Sequence, residues 1–93
     1  MPQIIVRHKV KDYKRWAVLF DAASSIRKLS GEKGCKIFRS TEDPNDITIL
    51  FDWDYAQKAL RYAESDELRA AMKQAGVVGE PVLYLLDADV YSE

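Results

Sequence analysis

His8 is the single histidine of this 93-residue chain and the one side chain whose ordinary ionisation lies near neutral pH. It is therefore the natural candidate to take a proton from a bound molecule. The competing reading is a strand-end histidine half in solvent, because no orienting partner stands near it in the sequence. Trp53 offers a broad flat wall with an indole N–H that needs an acceptor, which suits either the edge of an aromatic ligand or a core anchor packed on Trp16 or Phe20. Trp16 and Phe20 stand one helical turn apart, as do Leu68 and Met72, so the four side chains could roof an apolar cavity beneath Trp53. The same spacing is also what any packed helix shows. Tyr84 brings a phenol into a strand that is apolar on both faces, and its face is undecided. Arg7 and Asp52 have the parity opposite to His8 and Trp53, and are expected to pair as a salt bridge on an enclosed sheet surface.

Other chemistry is thinly represented. Cys35 is the only cysteine, so one chain holds neither a disulfide nor a multi-thiolate metal site, and its place in an expected strand reads as a small core residue. Asp12, Asp54 and Asp66 read as helix caps before they read as catalysts. There is no glycine-rich phosphate loop, no His-x-x-x-His, no carboxylate cluster at metal spacing and no serine with a plausible base. Neither a metal nor a cofactor is expected.

The elements that must position these residues follow from periodicity. Ile47-Thr48-Ile49-Leu50-Phe51-Asp52-Trp53 is rich in β-branched and aromatic residues and follows the turn Asp43-Pro44-Asn45-Asp46, so it reads as a central strand. A helix follows almost without a loop, with Asp54 as its cap and a stripe of Ala56, Ala59, Leu60 and Ala63. A fresh cap at Ser65-Asp66 starts a second one, with Leu68, Ala71, Met72 and Ala75. Upstream, Gln3 to Val10 alternates as strand one, sending His8 to the side of Ile4 and Val6. Asp12 then caps one long helix, with Trp16, Leu19, Phe20, Ala23 and Ile26 inward and Arg27 and Lys28 around the outside, ending at Gly31. Gly34 to Ser40 is a short strand hairpinned to Ile47–Trp53. Gly76, Gly79 and Pro81 separate the last helix from a strand at Val82–Leu86.

The order β-α-β-β-α-β predicts a single α+β domain over residues 1–93, ferredoxin-like, with a four-stranded antiparallel sheet and helices on one side. Leu50 and either parity of Val82–Leu86 place apolar groups on the bare side. A contiguous patch of about 400 Å² there is at the limit for a monomer, so two copies are expected to stack their sheets into a dimeric α/β barrel. The formal net charge of −1, with both signs scattered along the chain, argues against nucleic acid as a partner. No apolar run reaches membrane-spanning length, and Met1-Pro2-Gln3 leads straight into a strand, so a cytoplasmic protein with no membrane partner is expected.

The stretch from Trp53 to Met72, with a strand-ending Trp, a small residue and an aromatic in the next helix, then Ser65-x-x-Leu68 and a short helix, resembles the antibiotic biosynthesis monooxygenase-like group of dimeric α/β barrels. With the element order, the resemblance covers nearly the whole chain. It implies a homodimer whose ligand pockets lie between each sheet and its helices, and a cofactor-independent oxidation or cyclisation of an apolar, aromatic or polyketide-like small molecule. His8 would then move a proton, while Trp16, Phe20, Trp53, Met72 and Tyr84 would bind the ligand. A non-catalytic dimer that binds a small hydrophobic ligand is the alternative. Cofactor-independent members use an Asn, a Trp and often an Arg around a phenolic substrate; this chain offers Trp53 and Arg39, and its only Asn is Asn45 in a turn. Haem-degrading members place an axial His where Met72 falls, and a thioether is a poor sole ligand for ferric haem.

Overall fold

In the computed structural model, which describes residues 2–87, the alternation along β1 (Pro2–Val10) buries Ile4, Val6, His8 and Val10 and leaves Arg7 and Lys9 in solvent. β2 (Glu32–Arg39) and β3 (Asp46–Trp53) form the expected hairpin, closed by a turn in which the Asp43 side chain accepts from the Asn45 N–H at 2.9 Å. β4 (Val77–Asp87) lies on the far side of β1, so the antiparallel sheet runs β2-β3-β1-β4. All helices lie on one face, where Ile4, Val6, Val10, Ile47, Ile49, Phe51 and Trp53 form the core with Trp16, Ala59 and Ala75. No helix among the described residues is long and apolar enough to cross a membrane.

The ferredoxin-like α+β arrangement is as expected, with three local differences. The first helical segment is two helices, α1 (Tyr13–Ala22) and α2 (Ser24–Ser30), broken at Ala23. Arg27, which continues the Trp16-Phe20-Ala23 stripe at helical spacing, is buried there and Ile26 is exposed, the reverse of the expected assignment. In α3 (Ala56–Ala63), Ala59 is buried and Tyr62 packs on the core while Leu60 is exposed; α4 (Asp66–Gln74) starts as expected, with the Ser65 hydroxyl accepting from the Leu68 N–H. β4 begins at Val77, so Gly79 and Pro81 lie inside it, near a register irregularity between Arg7 and Lys9. An edge strand tolerates both residues, because a proline there leaves no ladder donor missing and a glycine accommodates the distortion.

Arg7 does not meet Asp52. The β1–β3 register sets Arg7 opposite Thr48 and Gln3 opposite Asp52, so Arg7 makes a two-point bond to Asp46 and the Gln3 amide donates to Asp52 at 3.0 Å. Cys35 is exposed rather than part of the core, because β2 is an edge strand that the helices cover only at its start.

Trp53 ties α2 to the sheet: its indole N–H donates to the Ser30 carbonyl at 3.1 Å, and the Asp54 N–H donates to the Gly31 carbonyl at 3.0 Å. Gly31 sits in the left-handed region at φ +126, and a Cβ there would come within 2.5 Å of the Trp53 indole nitrogen. Gly31→Ala is expected to cost about 2 kcal/mol in urea unfolding, from backbone strain and overpacking together. Gly34→Ala, with open space at its Cβ, is expected to change stability by less than about 0.5 kcal/mol.

Candidate functional site

The inward parity of β1 carries His8 under α1, where the residue is 5% exposed and its ring meets Trp16 edge-on at 5.8 Å. Neither Nδ1 nor Nε2 has a hydrogen-bond partner among the described residues. A buried polar group without a partner costs roughly 1–3 kcal/mol, so such a group calls for an explanation. Burial pushes the imidazole down to about 4, with Asp46 opposing the shift weakly, so the ring is neutral at physiological pH and offers one donor and one acceptor.

His8 faces a cavity of about 60 Å³ between the sheet and the helices, lined also by Trp16, Phe20, Arg27, Phe51, Tyr62 and Met72. That volume holds roughly four waters, far below the several hundred Å³ of a drug-sized pocket. Even a single aromatic ring, which takes a cavity of about 150 Å³, enters only if the helical layer moves off the sheet. Two larger grooves, between α2 and α3 and between α4 and β4, are open to solvent and contain no buried unpaired side chain.

Arg27 is 5% exposed: its Nε donates to Glu32 at 2.6 Å, its Nη1 donates to the Phe20 carbonyl at 2.6 Å, and its Cζ stands 3.7 Å from the Phe20 ring centroid. Tyr62 stacks on Trp53 at 4.7 Å, and burial pushes its phenol up to about 12. Arg27 continues the Trp16-Phe20-Ala23 stripe, and its charge is what assigned it to the outside. That spacing and Glu32 five residues on are the sequence signals that could have found the pair.

Of the candidates read from the sequence, the cavity brings together His8, Trp16, Phe20 and Met72. Trp53 is fully buried one layer away, against Phe51 and Tyr62, with its N–H already engaged by Ser30. It is a core anchor, and not a wall of this cavity. Tyr84 is opposite Ile5, on the face of the sheet away from the helices, and is more than half exposed. It cannot share a ligand with His8 within one chain. Arg39 lies outside as well, stacked on Tyr13 at 3.7 Å and bonded to the Pro44 carbonyl. His8 is not half in solvent, because α1 covers the end of β1.

No family model matches the chain, and no curated protein matches it in sequence. Its fold does match solved structures. One is a protein of Caulobacter crescentus designated an antibiotic biosynthesis monooxygenase, 19% identical, with 96% of this chain and 90% of that one covered and a TM-score of 0.71. A Bordetella bronchiseptica protein of the same designation is 20% identical, with 96% and 97% covered and a TM-score of 0.65. The cofactor-independent oxygenase SnoaB of Streptomyces nogalater is 12% identical, with 98% and 97% covered and a TM-score of 0.69. At these identities the likeness establishes the fold.

The unpaired imidazole makes a thermodynamic signature. Its folded value of about 4 lies below the ordinary 6.5, so the unfolded chain binds the extra proton first and stability falls as pH drops from about 6.5 towards 4, by up to about 3 kcal/mol. The contribution is intact above that window. Urea unfolding across it is expected to show the slope, and His8→Leu is expected to flatten it while leaving stability at neutral pH unchanged or about 1 kcal/mol higher.

Proposed function

We propose that this chain is a cytoplasmic homodimer of the antibiotic biosynthesis monooxygenase type, whose cavity takes a small, largely apolar molecule with His8 as its proton acceptor. Cofactor-independent oxidation or cyclisation is the chemistry such a step would open. The observation that carries the reading is the pair of unpartnered His8 nitrogens in an apolar cavity, since a ligand hydroxyl would supply the missing bond. A conjugate acid of about 4 is a weak base for a free phenol. An oxyanion forming beside the ring would raise that value, so proton transfer and formation of the ion pair would proceed together.

The dimer rests on the uncovered sheet face. Phe38, Val78, Val82, Tyr84 and Leu86 are exposed there beside half-buried Ile5 and Leu50. An apolar surface of this kind favours a second copy. The Arg7–Asp46 pair at 2.8 Å and the Gln3–Asp52 bond would fix its register.

Binding without turnover is favoured by two observations: the Trp53 N–H is already engaged, and the imidazole is a weak base. Oxygen uptake and product formation with small phenols and 1,3-diketones separate the two. Catalysis predicts uptake or product formation that His8→Leu lowers at least about 100-fold; binding with neither in the parent protein would leave the second reading standing. For the assembly, the parent protein is expected to sediment as a dimer and Tyr84→Lys as a folded monomer. A folded parent monomer at micromolar concentration would overturn the dimer.

A further inference from the structure

Besides His8, Arg27 has unused hydrogen-bonding capacity in the cavity wall. A guanidinium carries five N–H donors. The bonds it makes run from Nε and Nη1, to Glu32 and to the Phe20 carbonyl, and Nη2 has no partner among the described residues. The group is held still, stacked on the Phe20 ring, and the residue is 95% enclosed. Trp16 stacks on Phe20 at 4.8 Å and meets His8 at 5.8 Å, so His8 and Arg27 stand at the two ends of one aromatic wall. The sheet supports that separation. His8 is opposite Ile47, whereas Arg27 lies 5.9 Å from the ring of Phe51, four residues along β3.

We propose that Arg27 is a specificity-determining residue of the cavity, selecting neutral ligands that carry an oxygen acceptor at the end remote from His8. Glu32 already balances the guanidinium charge, so a carboxylate ligand would bring an uncompensated charge into an apolar space, whereas a carbonyl oxygen accepts from the guanidinium without one. A single aromatic ring with a hydroxyl and a carbonyl in para relation carries its two polar atoms at opposite ends, as the two ends of the wall require. The proposal rests on the cavity being a ligand site, and the test keeps the two apart.

The probes are 4-hydroxybenzaldehyde and 4-methylphenol, which differ chiefly in the carbonyl oxygen, titrated at a pH where both phenols are neutral. Binding is read from the ring resonances of the single histidine and by calorimetry. The parent protein is expected to prefer the aldehyde by at least about tenfold. Arg27→Met alone would leave Glu32 buried and unpaired, so the variant to use is Arg27→Met with Glu32→Leu, an apolar replacement of a buried pair that folds tolerate. In it the preference should fall to about twofold; Arg27→Lys, which keeps the charge and loses the fork, should also weaken it. Equal binding of both probes by the parent protein, or a preference that persists in the double variant, overturns the role of Arg27 and leaves the cavity a ligand site. If neither probe moves the His8 signals of the parent protein, both readings fall.

Discussion

Arg27 and Glu32 meet at 2.6 Å in the interior, and the first helical layer is arranged around that bond. Removing two charges from water costs several kcal/mol for each, which a buried pair recovers only when its geometry is tight and its remaining donors find acceptors. Arg27 follows Trp16 by about three helical turns and so falls on the same inward face. The Phe20 carbonyl and ring receive it, and Gly31 then lets the chain reverse so that Glu32 opens β2 beside it. Phe20 is thereby held from two sides, and Trp16 stacks upon it. A wall fixed in this way keeps its place over the sheet instead of collapsing onto His8.

The second constraint comes from the sheet. Its helix-facing side is closed to water over β1 and β3, with Ile4, Ile47 and Trp53 fully buried, while the opposite side alternates apolar groups with the Arg7–Asp46 and Gln3–Asp52 bonds. A sheet apolar on both faces with helices on only one is an incomplete layer arrangement. The polar bonds on the uncovered face are formed within the chain. Arg7 and Asp46, already matched to each other, can be enclosed there at smaller electrostatic cost than either alone.

Much of this was legible in the residues. Alternation in β1 and β3 fixes which side chains face the helices, so His8 was placed on the correct side, and the caps at Asp12 and Ser65 mark true helix starts. What sequence could not supply was register and helical phase. Opposite parity made Arg7 and Asp52 look like partners, but the pairing frame sets them four positions out of line. Charge assigned Arg27 to the outside although it continues the inward stripe, and periodicity assigned Leu60 the place that Tyr62 takes in the core. Strand composition made Cys35 a core residue, whereas its exposure depends on β2 being an edge that the helices do not reach.

One side chain is decisive: a neutral imidazole kept in an apolar cavity with both nitrogens unsatisfied among the described residues. Enclosure without a partner is the only term strong enough to hold His8 so far below its ordinary value, since Asp46 pulls the other way. Because the chain has a single histidine, its ring resonances can be followed against pH without ambiguity. The account predicts a midpoint near 4; a midpoint near the ordinary 6.5 would mean that the ring is solvated or already paired, and would contradict it.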